Sequence, residues 1–248
     1  MNKAPSITSY IVLILMISMC VFTSFGTLPI VNAQKNNDYY YMPKDSPIFW
    51  SGPNSKKEIA LSFDDGPDPI YTPKILNILS KYNVKATFFL VGEQAKLHPQ
   101  LVQRIIADGH EIGSHTMTHP NANNTPPPTL KSEVMESVTY LQNLTSQEIR
   151  FFRPPYGILS PSYFSACSDQ GITMILWSVD TVDWERPSFD IIVERVISQI
   201  GQGSIILMHD GGGNRQQTVD ALDKILCELE QMQLRPVTLS KLFFTVPE

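Results

Sequence analysis

Between residues 55 and 248 the sequence predicts an α/β domain built on parallel strands, and two observations carry that reading. From Glu58 onward, short β-rich runs alternate with helical stretches, the pattern of strands joined by crossover helices. The chain, 248 residues with 42% hydrophobic side chains, is also long and apolar enough to bury one large core. In order, the expected strands are Glu58–Phe63, Ala86–Val91, Glu111–Ser114, Glu148–Phe152, Thr173–Ser178, Ser204–Met208 and Arg235–Thr238. The expected helices are Pro73–Lys81, His98–Asp108, Thr129–Leu144, Pro161–Gln170, Ile191–Ile200 and Gln217–Met232. The last of these sets Val219, Leu222, Ile225, Leu226, Leu229 and Met232 on one face at three-to-four spacing. Asp108-Gly109, Gln170-Gly171 and Ile200-Gly201 supply stop signals. Such a rhythm suits an open doubly wound sheet or a closed barrel, and periodicity alone does not choose. Both architectures gather ligands just beyond the carboxyl ends of the strands.

Composition excludes several function classes. Lys and Arg total 19 against 24 Asp and Glu, a net charge of −5, with no basic cluster longer than Lys56-Lys57. A nucleic-acid partner, which needs basic side chains to neutralise phosphates, is therefore not expected. Cys20, Cys167 and Cys227 are too few and too scattered for a disulfide framework or a thiolate zinc site; whether Cys167 and Cys227 pair stays open. Between Lys3 and Lys35 no side chain is charged, and Ile11 to Phe25 is dominated by Ile, Val, Leu, Met and Phe. Residues 1–33 thus read as a signal peptide ending at Val31-Asn32-Ala33, with an uncleaved membrane anchor as the close alternative. Either version puts the rest outside the cytoplasm and brings the N-terminal segment to the membrane at least transiently. Residues 34–54 read as a linker or an arm lying on the domain.

The chemistry collects where the strands end. After the first strand come Asp64 and Asp65, adjacent carboxylates that point in different directions, followed by Gly66. An ordinary Asp-Gly turn would look the same. After the third strand come His115 and His119, whose four-residue spacing, taken as a helical turn, would stack both imidazoles on one face to grip a cation. Asp65, His115 and His119 together offer two nitrogens and an oxygen, with coordination positions left for water and substrate, as a catalytic zinc-type site requires. The fourth strand runs into Arg153-Pro154-Pro155-Tyr156-Gly157, whose prolines and glycine fix the backbone. Past the fifth lie Asp180 and Asp183-Trp184, and past the sixth comes Leu207-Met208-His209 with Gly211 to Gly213. His98 and His110 read as surface or helix-end residues. Unrelated residues would scatter over both edges of a sheet; these share one.

In order and spacing, Ser62-Phe63-Asp64-Asp65-Gly66-Pro67, His115-Thr116-Met117-Thr118-His119, Arg153-Pro154-Pro155-Tyr156-Gly157, Asp180-Thr181-Val182-Asp183-Trp184 and Leu207-Met208-His209 resemble the motifs of the polysaccharide deacetylases, the NodB-homology or carbohydrate esterase family 4 enzymes. The resemblance spans about residues 55–245. It implies a distorted (β/α) barrel of about seven strands, and so the closed sheet. It also implies that Asp65, His115 and His119 bind one divalent metal, zinc first and cobalt next. Asp64 would be the general base, with Arg153 holding it ionised and oriented. His209 would be the general acid, backed by Asp183. The Tyr156 N–H would meet the developing oxyanion, and Trp184 and Leu207 would wall the pocket for the acetyl methyl.

The expectation is therefore a secreted or membrane-anchored, cell-wall-associated, monomeric N-deacetylase acting on a glycan polymer, peptidoglycan before chitin-like oligomers. Three competing readings differ in what they require. An O-deacetylase of acetylated xylan would share the site. A glycan-binding relative without catalysis would not need Asp64, His209 and the metal triad together. An iron(II) oxygenase could use two His and a carboxylate, but would need neither the second Asp nor an acid at His209.

Overall fold

The structure is a computed structural model and describes residues 48–244. The apolar N-terminal segment and its expected cleavage site lie outside the described residues, as does most of the expected arm. Among the described residues no helix is long and apolar enough to cross a membrane.

The strands are β1 (Ile48–Phe49), β2 (Glu58–Asp64), β3 (Thr87–Leu90), β4 (Glu111–Ser114), β5 (Phe151–Phe152), β6 (Thr173–Ile175), β7 (Val179–Asp180), β8 (Ile205–His209) and β9 (Arg235–Val237). The helices are α1 (Tyr71–Lys81), α2 (Gly92–Leu97), α3 (Pro99–Ala107), α4 (Pro127–Thr145), α5 (Pro161–Gln170), α6 (Phe189–Gln199), α7 (Gln216–Gln231) and α8 (Leu239–Phe243), with single 3₁₀ turns at Pro155–Gly157 and Asp183–Glu185. Strand order is β1-β6-β5-β4-β3-β2-β8-β7 with β9 on β2, and each of these strand pairs is parallel. β6 and β7 stand near opposite ends of that order, yet only Leu176-Trp177-Ser178 separates them in sequence. So short a link spans roughly 13 Å at most, which brings the two ends of the sheet together and curls it into an incompletely closed barrel. The seam is reinforced where Ser51 bridges Ser204 and the Ser178 N–H donates to the Ile205 carbonyl at 3.0 Å.

Several elements depart from the sequence reading: α2 and α8 are not among the expected helices, and β5, expected from Glu148, begins only at Phe151. The strand expected at Thr173–Ser178 stops at Ile175, because the chain leaves one edge of the sheet there and joins β8 at the other as β7. Ile48–Phe49, within the segment expected as linker or arm, pairs with Met174–Ile175 as an edge strand. Most helices begin or end within two residues of their expected bounds. Helix α5 shows why: Ser160 caps it by accepting the Ser162 N–H, Pro161 opens it, and Gly171 closes it at a left-handed φ of 65°.

Alternation along the strands sorts side chains into two layers. Ile59, Leu61, Phe63, Phe88, Ile206 and Met208 face outward and pack with helix residues such as Ile75, Leu79, Leu222 and Ile225. Ala60, Phe89, Phe151, Ile175, Ile205 and Val237 face inward, where Leu239 and Leu242 of α8 join them. On the paired strands β2 and β8 the inward ladder runs Ala60 opposite Ile205, Ser62 opposite Leu207, and Asp64 opposite His209. Toward the carboxyl end the barrel interior therefore changes from apolar to polar and ionisable.

Candidate active site

Asp64 ends β2 and is buried to 3% exposure. One Nη of Arg153, the first residue after β5, donates to Asp64 Oδ1 at 2.8 Å and to Ser62 Oγ at 2.8 Å. The other donates to the Leu176 carbonyl at 3.0 Å, and the guanidinium lies 4.2 Å from the centroid of the inward-facing Phe89 ring. Arg153 is wholly buried. Burial pulls its pKa down and Asp64 pulls it back, and every contact tethers it in one orientation.

Asp65, His115 and His119 converge, with one ligand atom from each lying within 4.8 Å of the others. His115 Nε2 and His119 Nε2 stand 3.4 and 3.2 Å from Asp65 Oδ1. His115 Nδ1–H donates to the Arg153 carbonyl at 2.7 Å, which fixes the tautomer and leaves the Nε2 lone pair facing the cluster. Asp65 Oδ1 is buried yet accepts no well-formed hydrogen bond, and such an orphaned oxygen beside two imidazole nitrogens is a donor set suited to a divalent cation. Burial opposes the ionisation of Asp65, but the imidazoles of His115 and His119 more than offset it and hold the carboxyl well below the usual range.

The two histidines do not share a helical turn, contrary to the sequence reading. They sit in an irregular loop after β4, where Thr116 and His119 adopt left-handed backbone at φ 67° and 61°. Asp65 and Tyr156 do the same at 72° and 59°. Such conformations cost on the order of 1–3 kcal/mol each in non-glycine residues and persist only where the surroundings enforce them. For Asp65, part of that enforcement comes from the glycine run. A Cβ on Gly211 would lie 2.2 Å from the Asp65 carbonyl oxygen, and one on Gly212 would lie 2.5 Å from its Oδ2. Buried Arg215 folds this run over by donating to the Gly211 and Gly212 carbonyls at 2.7 and 3.0 Å.

His209 ends β8, opposite Asp64. Its Nδ1–H donates to Asp183 Oδ1 at 2.6 Å and its backbone N–H to Asp183 Oδ2 at 2.9 Å. Thr218 Oγ1 adds a third bond to Asp183 Oδ2 at 2.6 Å. Burial would lower the His209 pKa, but Asp183, with smaller help from Asp64 and Asp65, raises it to about 9. Burial would raise Asp183, and its bonds to His209 and Thr218 hold it low instead.

The wall residues differ in placement. Leu207 is buried and faces inward, whereas Trp184 and Tyr156 are more than half exposed. The Tyr156 ring meets His119 edge-on at 4.7 Å between centroids. Gly157 accommodates Trp177, since a Cβ there would lie 2.8 Å from the indole. A polar cleft of about 370 Å³ opens beside Asp65 and His119, lined also by Asp68, Glu93, Gln94 and the glycine run.

The family model described as polysaccharide deacetylase matches residues 51–175. A peptidoglycan-N-acetylglucosamine deacetylase of Bacillus cereus is 40% identical over 197 residues, covering 79% of this chain and 92% of its own. The chain belongs to the polysaccharide deacetylase family. A chitooligosaccharide deacetylase of Sinorhizobium fredii is 38% identical over 179 residues, 68% of this chain and 83% of its own. The crystal structure of the Bc1960 peptidoglycan N-acetylglucosamine deacetylase superposes with a TM-score of 0.77 at 42% identity, covering 81% of this chain and 94% of that one. Deacetylases of this family are metal-dependent hydrolases, and their curled parallel-strand α/β fold is the one described above.

Three buried groups near the site have no role in the sequence reading. Asp210 follows His209 directly; its Oδ2 accepts from Thr72 Oγ1 at 2.5 Å, its Oδ1 has no partner among the described residues, and burial raises its pKa to about 7. Adjacency to His209 was the available signal. Thr218 and Arg215 carried none, being part of the approach to an amphipathic helix and its first turn. His110, expected at a surface or helix end, is buried. Its Nδ1 accepts the Ala86 N–H at 3.1 Å, and burial lowers its pKa to about 4. Cys167 and Cys227 are both free, and burial pushes the Cys167 thiol up to about 12.

Proposed function

We propose that this chain hydrolyses the acetamide of N-acetylglucosamine units in a glycan polymer, peptidoglycan first and chitin-like oligomers second, releasing acetate and leaving a free amine. The observation that carries the reading is completeness. A carboxylate next to a buried arginine, a cation-ready triad and a carboxylate-backed histidine share one rim, in a chain 40% identical to a peptidoglycan-N-acetylglucosamine deacetylase.

Asp65, His115 and His119 would hold the metal. The mixed nitrogen and oxygen donors suit zinc, with cobalt next. A divalent ion bound there supplies Lewis-acid polarisation and acidifies water toward neutral pH. Asp64 takes the proton from the attacking water, oriented for that task by Arg153. The Tyr156 N–H, presented by a left-handed turn, stabilises the oxygen of the tetrahedral intermediate. His209 delivers the proton that the departing nitrogen needs, since an amine leaves poorly without it. Its Nδ1 is engaged by Asp183, so the proton is presented at Nε2. Leu207 and Trp184 bound the space for the acetyl methyl. A polar cleft beside the triad is compatible with a hydroxyl-rich chain.

Residues 1–33, as a signal or anchor, would deliver the enzyme outside the cytoplasm to the wall, where it works as a monomer. The test is acetate release. The full chain, loaded with zinc and mixed with peptidoglycan, should release acetate, lower the mass of wall fragments by one acetyl per event, and stop on chelation. Retained acetyl groups on both peptidoglycan and chitin oligomers would defeat the reading. Faster release from acetylated xylan than from either amide polymer would replace it with an ester hydrolase.

A further inference from the structure

Helix α4 directs one carboxylate at the loop that carries both histidines. Glu133 Oε2 accepts the N–H groups of Met117 and Thr118, each at 2.8 Å, and Oε1 accepts the Thr118 hydroxyl at 2.8 Å. These groups lie between His115 and His119 in sequence. On its other side the loop is gripped through its carbonyls. The Gly92 N–H donates to Thr116 at 3.0 Å and the Glu93 N–H to Met117 at 2.9 Å, both from the first turn of α2. A Cβ on Gly92 would lie 2.3 Å from Met117 Sδ, so this approach is as close as a glycine permits. The loop is thus clamped between the amides of one helix and the carboxylate of another. Inside the clamp, Thr116 and His119 hold left-handed backbone without being glycine. The loop's own bonds run from the Thr116 hydroxyl to the His115 carbonyl and from the His119 N–H to Thr116 Oγ1 at 3.0 Å; beyond these, two consecutive N–H groups at Met117 and Thr118 left without an acceptor would favour its relaxation.

We infer that Glu133 is a positioning residue: by fixing Met117 and Thr118 it sets the separation and tilt of the His115 and His119 imidazoles, and through them the affinity and geometry of the metal site. The inference rests on the reading that Asp65, His115 and His119 hold a metal, and deepens it by naming a residue outside the triad that tunes it. Groups that hold metal ligands in place typically govern metal affinity by about 10–100-fold, and Glu133 acts on the two imidazoles through the backbone between them. The alternative is that Glu133 only fastens α4 to the barrel, and then its loss would lower stability while the folded molecules bound metal as before.

The experiment measures zinc affinity of the full chain by competition with a chromophoric chelator, and records the visible spectrum of the cobalt-loaded protein, below the unfolding midpoint of each variant. The wild-type chain should bind one ion. Glu133→Ala should bind it about 10–100-fold more weakly with an altered cobalt spectrum. Glu133→Gln, whose amide oxygen still accepts both N–H groups, should recover most of the affinity. Thr118→Ala, a surface change that removes only the hydroxyl contact, should cost about 2–10-fold and serves if Glu133→Ala does not fold. Wild-type affinity and an unchanged cobalt spectrum in Glu133→Ala, or wild-type affinity in Thr118→Ala, would overturn the inference while leaving the metal site standing. Equal loss in Glu133→Gln and Glu133→Ala would also overturn it, because acceptor geometry is what it invokes. A wild-type chain that binds no ion would instead overturn the reading beneath it.

Discussion

The two ends of the barrel interior are built on the same strands and are opposites in character. At the closed end, Ala60, Phe151, Ile175, Ile205 and Val237 pack with Leu239 and Leu242 of α8. The polar groups there are matched: Glu111 Oε2 accepts the Ser240 N–H at 3.0 Å, and Thr87 Oγ1 accepts the Leu239 N–H at 3.0 Å. At the open end, Asp65 and Asp210 each keep a buried oxygen without a partner among the described residues, and Asp65, Thr116, His119, Tyr156 and Val182 adopt left-handed backbone without being glycine. One inward-facing rung, Ser62 opposite Leu207, separates Ala60 and Ile205 from Asp64 and His209. The contrast shows where the fold stores order and where it spends it: apolar packing at one end holds in place a rim that would not be stable alone.

That division can be broken from either side. The largest expected effect is at the rim, where His209→Ala should lower kcat for acetate release by about 10²–10⁴-fold, the usual worth of general acid–base help. Next comes Arg153→Met, which leaves the Asp64 carboxylate buried without its ion-pair partner. Urea unfolding should show a loss of about 3–5 kcal/mol. At the closed end Leu242→Ala should cost about 2–5 kcal/mol by the same unfolding measurement, yet leave kcat unchanged; a fall in kcat matching that of a rim variant would erase the distinction.

A smaller effect should appear in the pH dependence of stability. His209 is raised from its ordinary 6.5 to about 9 by Asp183. Its contribution in the chelated chain is therefore complete below about pH 6.5 and lost as pH rises through about 9. In Asp183→Asn, unfolding free energy followed from pH 6 to 10 should lose most of that slope. Smallest of all, Tyr156→Phe should shift stability by no more than roughly 0.5 kcal/mol and keep acetate release, because the proposed work belongs to the backbone N–H and the phenol end is exposed.

The legible parts of this molecule are those written in local pattern. Helix α7 announces itself through Val219, Leu222, Ile225, Leu226 and Leu229, all buried. Asp64, Asp65, Arg153 and His209 stand out as candidates because each follows or ends a recognisable strand, and the fold gathers strand ends on one rim. What stayed hidden depends on contacts distant in sequence. β1 and β7 are two residues each and exist by pairing with β6 and β8. The His115–His119 spacing fits a helical turn, and it takes Glu133 from α4 and the amides of α2 to make it a loop instead. His110 has no partner in sequence and so reads as a surface or helix-end residue, while its burial goes with edge-on packing against Phe88 at 5.5 Å. Nothing local marks Thr218 as a partner of Asp183, 35 residues away.

The most direct test of the central claim couples metal content to turnover in one titration. Metal-stripped full chain is given increasing zinc in the presence of peptidoglycan, and acetate release is plotted against bound zinc determined on the same samples. Release should rise in proportion to bound metal and level off at one ion per chain, with the Asp65→Ala variant flat throughout. Acetate release by the stripped chain equal to that of the loaded one, or a fully loaded chain that releases none from any N-acetylglucosamine polymer, would contradict the account.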